Sequence, residues 1–295
     1  MTTTIGLDIG GTKVLGVVLD AYGQVVREER LASPHTGLEA LVATGASIVK
    51  QLDAEGVAVG VGAAGLVDRQ GIVRYAPNLP NVRDAPLREA LAAATGHRVV
   101  VDNDASVATL GEVTYGAAVG RRDVLLVTLG TGIGGGLVLG HQLYPGANGF
   151  AAEVGHMKVD SSPDAPLCAC GQRGCVETFA GTRALLREYA RQGGHASEVL
   201  PIAVSARRGE PAGVKTFEMM GTALGRLLAN IQNLLDLNAV VFSGGISASF
   251  DLLEPFVRGA LRAQAFSPPL AEVPLLVSEL GERAGVIGAA HLTTL

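Results

Sequence analysis

Glu153-Val-Gly-His156-Met, followed after a Pro- and Ser-containing loop by Cys168-Ala-Cys170-Gly-Gln-Arg-Gly-Cys175-Val-Glu177, is the stretch from which the rest of the chain is read. It holds all three cysteines of the protein, an odd number that cannot pair off as disulfides. The spacing His-x11-Cys-x-Cys-x4-Cys offers one imidazole nitrogen and three sulfurs, a Cys3His set for a tetrahedral zinc ion. Gly171 and Gly174 let the loop turn tightly enough for three thiolates to converge. The alternative, three free thiols in a surface loop, is opposed by four suitable ligands in one short segment. A closed four-ligand site is structural, and would fix the loop with an apparent binding free energy on the order of 10 kcal/mol. Glu153, His156 and Glu177 flank the knot and are candidates to face a substrate.

Working outward, the chain carries a pair of glycine loops. Ile5-Gly-Leu-Asp8-Ile-Gly10-Gly11-Thr12-Lys13 leads into Val14 to Leu19 and a turn at Asp20 to Gly23; Leu125-Leu-Val-Thr128-Leu-Gly130-Thr131-Gly132 leads into Gly136 to Leu139. Both read as β-hairpins with tight glycine turns, and their alignment reads as an internal repeat. Ordinary hairpin turns would explain either loop alone. The repeated pair suggests backbone nests for a polyphosphate, with Lys13 adding a point charge and Asp8 holding Mg2+ through a water. Gly130 to Gly135 also satisfies G-x-G-x-x-G, but a dinucleotide fold needs a helix to follow, and Gly136 to Gly140 reads as a strand.

Between these loops, Gly37 to Ala54 has helical spacing, Val57 to Val61 reads as a strand ending in Gly62-Ala-Ala-Gly65, and Tyr75-Ala-Pro-Asn78-Leu-Pro80 is a turn-rich loop. Arg98 to Val101 reads as a buried strand running through Asp102-Asn103-Asp104 into a helix over Ala105 to Tyr115. Asn and Asp at such a junction are ordinary helix caps. After the cysteines, helical spacing covers 181–192, 196–208 and 214–235. Asn238 to Ser243 then repeats the strand-into-glycines pattern at Gly244-Gly245, before a helix over 250–265, a strand at 274–278 and a closing helix at 284–292.

The 295 residues, 48% hydrophobic with 40 glycines, give a globular chain of one large or two medium domains. The formal charge of -5 supplies no basic field for nucleic acid. Val124 to Ala152 carries no formal charge, but its glycines and Pro145 make a buried hairpin the expectation rather than a membrane span. The amino-terminal residues show no export signal, and thiols at metal-ligand spacing fit a reducing cytoplasm.

Glu-Val-Gly-His and Cys-x-Cys-Gly-x-x-Gly-Cys-x-Glu, in this order and spacing, resemble the signature of the ROK sugar kinases, and the remaining motifs follow in family order along nearly the whole chain. The resemblance implies an α/β fold of the actin-like ATPase, ribonuclease H-like kind, with duplicated domains, an interdomain cleft and a zinc-knot loop. The domains are expected at 1–116, with a helix at about 283–295 packing back on it, and at 117–282. The implied reaction is ATP-dependent phosphorylation of a hexose, with glucose favoured and the 6-hydroxyl as acceptor. By resemblance Asp104 is the base, and Gly65, Asn78, Asn103, Asp104, Glu153, His156 and Glu177 bind the sugar. Asp8, Gly10, Gly11, Thr12, Lys13, Gly130, Thr131, Gly132, Gly244 and Gly245 hold ATP with Mg2+. His156, Cys168, Cys170 and Cys175 hold structural Zn2+, so His156 serves twice. A cytoplasmic homodimer without nucleic-acid or membrane partners is implied.

Two departures bear on specificity. Family members often carry a Trp after the Asn78 loop, where this chain has Val82, and many of its fructokinases have His-Pro-Glu where this chain has Ala151-Ala152-Glu153. The second departure favours glucose, N-acetylglucosamine or N-acetylmannosamine over fructose. A sugar-sensing repressor of the same fold would need a DNA-binding module, typically ahead of the first hairpin, and four residues precede Ile5. A silent sugar-binding protein is the third class, opposed by Asp104 and both glycine loops.

Overall fold

A computed structural model describes residues 3–52 and 57–295. The first half runs β1 (Thr4–Ile9), β2 (Lys13–Leu19), β3 (Val25–Ala32), α1 (Leu38–Leu52), β4 (Val59–Ala63), β5 (Leu66–Val67), β6 (Val73–Tyr75), β7 (Arg83–Ala85), α2 (Leu87–Thr95), β8 (Val99–Asn103) and α3 (Asp104–Tyr115). The second half runs β9 (Val124–Leu129), β10 (Ile133–Leu139), β11 (Gln142–Leu143), α4 (Glu177–Ala180), α5 (Thr182–Arg191), α6 (Val199–Arg207), α7 (Pro211–Leu235), β12 (Ala239–Ser243), α8 (Phe250–Gln264), α9 (Pro268–Ala271), β13 (Leu275–Val277) and α10 (Ala284–Leu292). The expected helix over 37–54 is α1; Asp53 and Ala54 lie outside the described residues.

The internal repeat is visible in the sheets. The first has the order β3-β2-β1-β4-β8, and the second has β11-β10-β9-β12-β13. In each, the strand before a glycine loop is central, and the first sheet adds β4 and β8 in parallel on the far side. In the second, β12 and β13 pair in parallel. The uncharged run from 124 forms β9, β10 and β11, as its glycines required. No helix among the described residues is long and apolar enough to cross a membrane.

By internal packing the chain divides into Met1–Val124 with Gly136–Ala152 and Glu279–Leu295, and a second unit of Leu125–Gly135 with Glu153–Ser278. In the first unit, Ile5, Leu7 and Ile9 pack with Ile48, Leu52 and Leu91 in one buried core. Leu15, Val17 and Leu19 of β2 meet Val286, Ile287 and Ala290 of α10 in another. The approach of α10 to the sheet explains two glycines. Gly6 and Gly60 are paired across β1 and β4, and a Cβ on them would lie 2.1 Å from the Val286 carbonyl oxygen and 1.7 Å from that of Ala289. Gly60→Ala must therefore push α10 off the sheet, and we expect destabilisation toward or beyond the top of the ~1–3 kcal/mol usual for overpacking, measurable by urea unfolding.

Of the pieces with no counterpart in the sequence reading, three show why. The strand β3 is mostly exposed and carries Arg27-Glu28-Glu29-Arg30, so neither alternation nor apolarity marks it; pairing with β2 creates it as a charged edge strand. The helix α2 lies between Pro86 and a left-handed Gly96, a start-and-stop signal that was legible. The small β5-β6-β7 sheet is built from strands of two or three residues, too short for periodicity to register.

Candidate active site and metal centre

The loop between β1 and β2 is Gly10-Gly11-Thr12, and that between β9 and β10 is Gly130-Thr131-Gly132. The first closes through the Gly10 amide donating to the Lys13 carbonyl at 3.0 Å, the second through the Gly130 amide donating to Gly132 at 3.1 Å. Their glycines divide into two kinds. A Cβ on Gly11 would lie 2.6 Å from the Asn78 carbonyl oxygen, so Asn78 is seated against the first loop. Gly244 has φ 87° and a Cβ there would lie 2.5 Å from the Leu129 carbonyl oxygen, at the entrance to the second. Packing within the chain requires these two. Gly10 and Gly130 would meet nothing closer than 3.4 Å and 4.0 Å, and Gly245 nothing within 4 Å. No positive φ and no crowding demands glycine at these three positions, although the Gly10 and Gly130 amides are already used in closing their loops.

Lys13 Nζ forms an ion pair with Glu282 Oε2 at 2.6 Å. Asp8 keeps a partly open face, yet the chain surrounds it closely enough that loss of hydration raises its pKa to about 7; the negative charge of Asp104 adds to the rise and Lys13 opposes it. Between its ordinary value of 3.8 and about 7 this carboxyl binds more proton in the folded than in the unfolded chain, so its contribution to stability falls as pH rises through that window. Asp8→Asn is thus expected to be more stable than wild type at about pH 8, with the difference gone by about pH 4, in paired urea titrations.

The β8–α3 junction is built on Asn103. Its Oδ1 accepts from the Ala105 and Ser106 amides at 2.9 and 3.0 Å, a helix N-cap. Its Nδ2 donates to the Gly65 carbonyl at 2.9 Å and to Asp104 Oδ1 at 3.0 Å. Gly65, at φ 123° and hard against Tyr75 and Ala76, ties the junction to the turn region that carries Asn78. Asp104 Oδ1 also accepts from the Ala105 amide at 2.9 Å, which fixes the carboxylate at the positive end of α3. Gly65, Asn103 and Asp104 are thus one hydrogen-bonded group, with the cap and the proposed base side by side. Asp102, one residue earlier, is pushed up to about 6 by burial, partly offset by the Asn103 amide that it accepts.

Around the cysteines the chain folds back on itself: Cys168 N–H donates to the Gln172 carbonyl, Val176 N–H to Met157, and Lys158 bridges Cys175. The left-handed Gly171 and Gly174 make the turns, and a Cβ at Gly174 would strike the Asp160 carbonyl oxygen at 1.8 Å. The ligand atoms of His156, Cys168, Cys170 and Cys175 all lie within 4.8 Å of one another. Cys168 Sγ is 3.6 Å from His156 Nδ1, and Cys170 Sγ is 3.7 Å from Cys175 Sγ. Tetrahedral bonds of ~2.3 Å to sulfur and ~2.0 Å to nitrogen place ligand atoms about 3.5–3.8 Å apart, so these two separations match and the cluster is compatible with a zinc ion. With Nδ1 turned to the thiols, His156 keeps Nε2 for another partner.

Glu153 and His156 are exposed at either end of the short 3-10 turn Val154–His156, and Glu177 opens α4. Although Glu153 is exposed as a residue, the chain around its carboxyl removes enough hydration to raise its pKa; His156 lowers it and Glu177 raises it further. Glu177 is not only a rim residue. Its Oε2 accepts from the Ile133 amide at 3.0 Å, directly after the second glycine loop. The sequence reading missed this bond, and it also missed Thr182, whose amide and Oγ1 both donate to the Gly130 carbonyl, at 3.0 and 2.9 Å. A Gly-Thr pair just ahead of an amphipathic run was the available signal for the latter.

Comparison with known proteins points to one family. A ROK family profile matches residues 4–294. A glucokinase of Streptomyces coelicolor is 39% identical, the match covering 99% of this chain and 98% of the relative. An N-acetyl-D-glucosamine kinase of Photobacterium profundum is 33% identical over 97% of this chain and 98% of its own. Among solved structures, a ROK family glucokinase from Streptomyces griseus in complex with glucose and AMPPNP superposes with a TM-score of 0.83 at 36% identity, covering 98% of both chains.

Proposed function

The chain belongs to the ROK family, and from that membership we propose that it is an ATP-dependent glucokinase, transferring the γ-phosphoryl group of ATP to the 6-hydroxyl of glucose. The observation that carries the reading is the pair of glycine loops, Gly10 to Thr12 and Gly130 to Gly132, with Gly10, Gly130 and Gly245 at positions where the chain's own packing does not require glycine. Phosphoryl transfer asks for little covalent chemistry from the protein and for close positioning of phosphates, nucleophile and base.

In this mechanism the Gly10–Thr12 and Gly130–Gly132 loops present backbone N–H groups to the phosphates, Lys13 exchanges Glu282 for a phosphate oxygen, and Gly244-Gly245 admit the adenosine. Asp8 would hold Mg2+ through a water, and the ion when bound supplies charge neutralisation between the phosphates. Asp104 accepts the proton of the 6-hydroxyl as that oxygen attacks the γ-phosphorus. Gly65, Asn78, Asn103, Glu153, His156 and Glu177 bind the remaining hydroxyls, a set carried over from the family motifs. His156, Cys168, Cys170 and Cys175 would hold Zn2+, which fixes the imidazole's orientation and leaves Nε2 for the sugar. By the same resemblance the protein works in glycolysis as a cytoplasmic homodimer, and sedimentation at twice the chain mass is the expected result.

ADP release from Mg-ATP across glucose, N-acetylglucosamine, N-acetylmannosamine, mannose and fructose tests the reading. Glucose should be strongly preferred. Preference for an N-acetyl sugar would keep the mechanism and replace the substrate, a reading that the Photobacterium relative favours; silence with every sugar would favour a sugar-sensing regulator. Gly245→Ala separates fold from nucleotide: its melting temperature should be unchanged because a Cβ there meets nothing within 4 Å, while KM for ATP rises about tenfold or more.

A further inference from the structure

The metal knot and the second glycine loop meet at residues 132 and 133. Glu177 Oε2 accepts from the Ile133 amide at 3.0 Å, and a Cβ on Gly132 would lie 2.4 Å from that same oxygen. From the other side, Gly155 presses on Ile133: a Cβ on Gly155 would lie 2.0 Å from the Ile133 carbonyl oxygen. Each of the two clamping residues lies within two positions of a candidate metal ligand in sequence, Gly155 one before His156 and Glu177 two after Cys175. A metal joining His156 to Cys175 therefore cross-links the two segments that hold Ile133 between them.

We infer that the Cys3His metal sets the geometry of the second phosphate loop, and that Glu177 is the positioning residue through which it does so. This goes beyond the sugar-facing role assigned to Glu177, and it rests on the reading of Gly130–Gly132 as a nucleotide loop. The physical logic is preorganisation. With the metal bound, Glu177 and Gly155 have one arrangement and the Thr131 and Gly132 amides are held ready for phosphate; without it the knot loses its cross-link, Glu177 is released, and nucleotide binding must itself order the loop. Metal and nucleotide are then positively coupled although neither touches the other, and the coupling is reciprocal.

The test measures nucleotide binding without sugar, by calorimetric titration of Mg-AMPPNP into zinc-loaded and chelator-stripped protein, for wild type, Glu177→Ala and Glu177→Gln. Stripping is expected to weaken wild-type binding about tenfold or more, within the ordinary range of coupling between sites. Zinc-loaded Glu177→Ala should show a comparable loss, and stripping it should add less than about twofold, because the two changes break one connection. Glu177→Gln keeps an oxygen for the Ile133 amide and should stay within about threefold of wild type, a rescue that distinguishes positioning from charge. Hydrogen exchange gives a readout independent of any ligand: the Ile133 amide should lose protection in stripped wild type, and in Glu177→Ala that still binds one zinc per chain. Unchanged affinity and unchanged Ile133 protection in stripped, folded wild type would overturn the proposal, as would losses from stripping and from Glu177→Ala that multiply. If zinc-loaded wild type binds no nucleotide, the kinase reading is what fails, and Ile133 exchange still decides the coupling.

Discussion

Replacing Asp104 with asparagine is expected to leave a folded protein that binds glucose but turns it over roughly 10^2 to 10^4 times more slowly, the range a positioned general base contributes. The substitution is nearly isosteric, and the geometry explains why structure should survive it. Asp104 Oδ1 acts as an acceptor for the Ala105 amide and for Asn103 Nδ2, at 2.9 and 3.0 Å, and an amide oxygen can fill that role. The N-cap of α3 belongs to Asn103, so the helix keeps its cap. What the variant lacks is a site for the hydroxyl proton. A kcat loss with KM for glucose little changed, read from ADP release at saturating ATP, is the expected pattern. Turnover near wild type would remove Asp104 from the role of base.

Replacing Cys175 with serine is expected to abolish stoichiometric zinc binding and to remove most of the activity with it. Cys175 is fully buried, bridges Lys158, and stands at the start of the segment that leads to Glu177. The metal's apparent contribution to holding such a loop is on the order of 10 kcal/mol, far more than the loop's few backbone hydrogen bonds supply. Metal analysis should fall from one zinc per chain to near zero, and protease sensitivity should rise over 153–177. The first sheet and its cover of α10 have a core of their own and should persist, so the loss ought to register as a lowered melting temperature and local cleavage rather than as global unfolding. Cys170→Ser should be milder, because that residue is exposed whereas Cys175 is buried.

Both predictions concern residues that the sequence made visible, and the pattern of what was visible has a physical basis. The ligand set, the two glycine loops and the Asn103-Asp104 junction each depend on residues within one short segment, where spacing along the chain fixes spacing in the fold. The family resemblance that these segments carry implied the duplicated α/β architecture, and both five-stranded sheets bear it out with the same strand order. Strand β3 was invisible because its residues describe an exposed edge, and an edge is defined by the neighbour it pairs with rather than by its own composition.

By itself the sequence determined which candidate groups the protein carries: a Cys3His set, two glycine loops, and a carboxylate at a helix start. Only the tertiary structure decided how these parts are held. Gly6 and Gly60 proved to be the seat of α10, whose contacting residues lie more than two hundred positions later in the chain. Asn103 proved to be a cap and a tether to Gly65 at the same time. Glu177 reached back 44 residues to the Ile133 amide, joining a metal knot to a glycine loop. Such pairings leave no periodicity or spacing in the chain, because a hydrogen bond or a close contact between distant segments is set by where packing brings them and not by how far apart they are written.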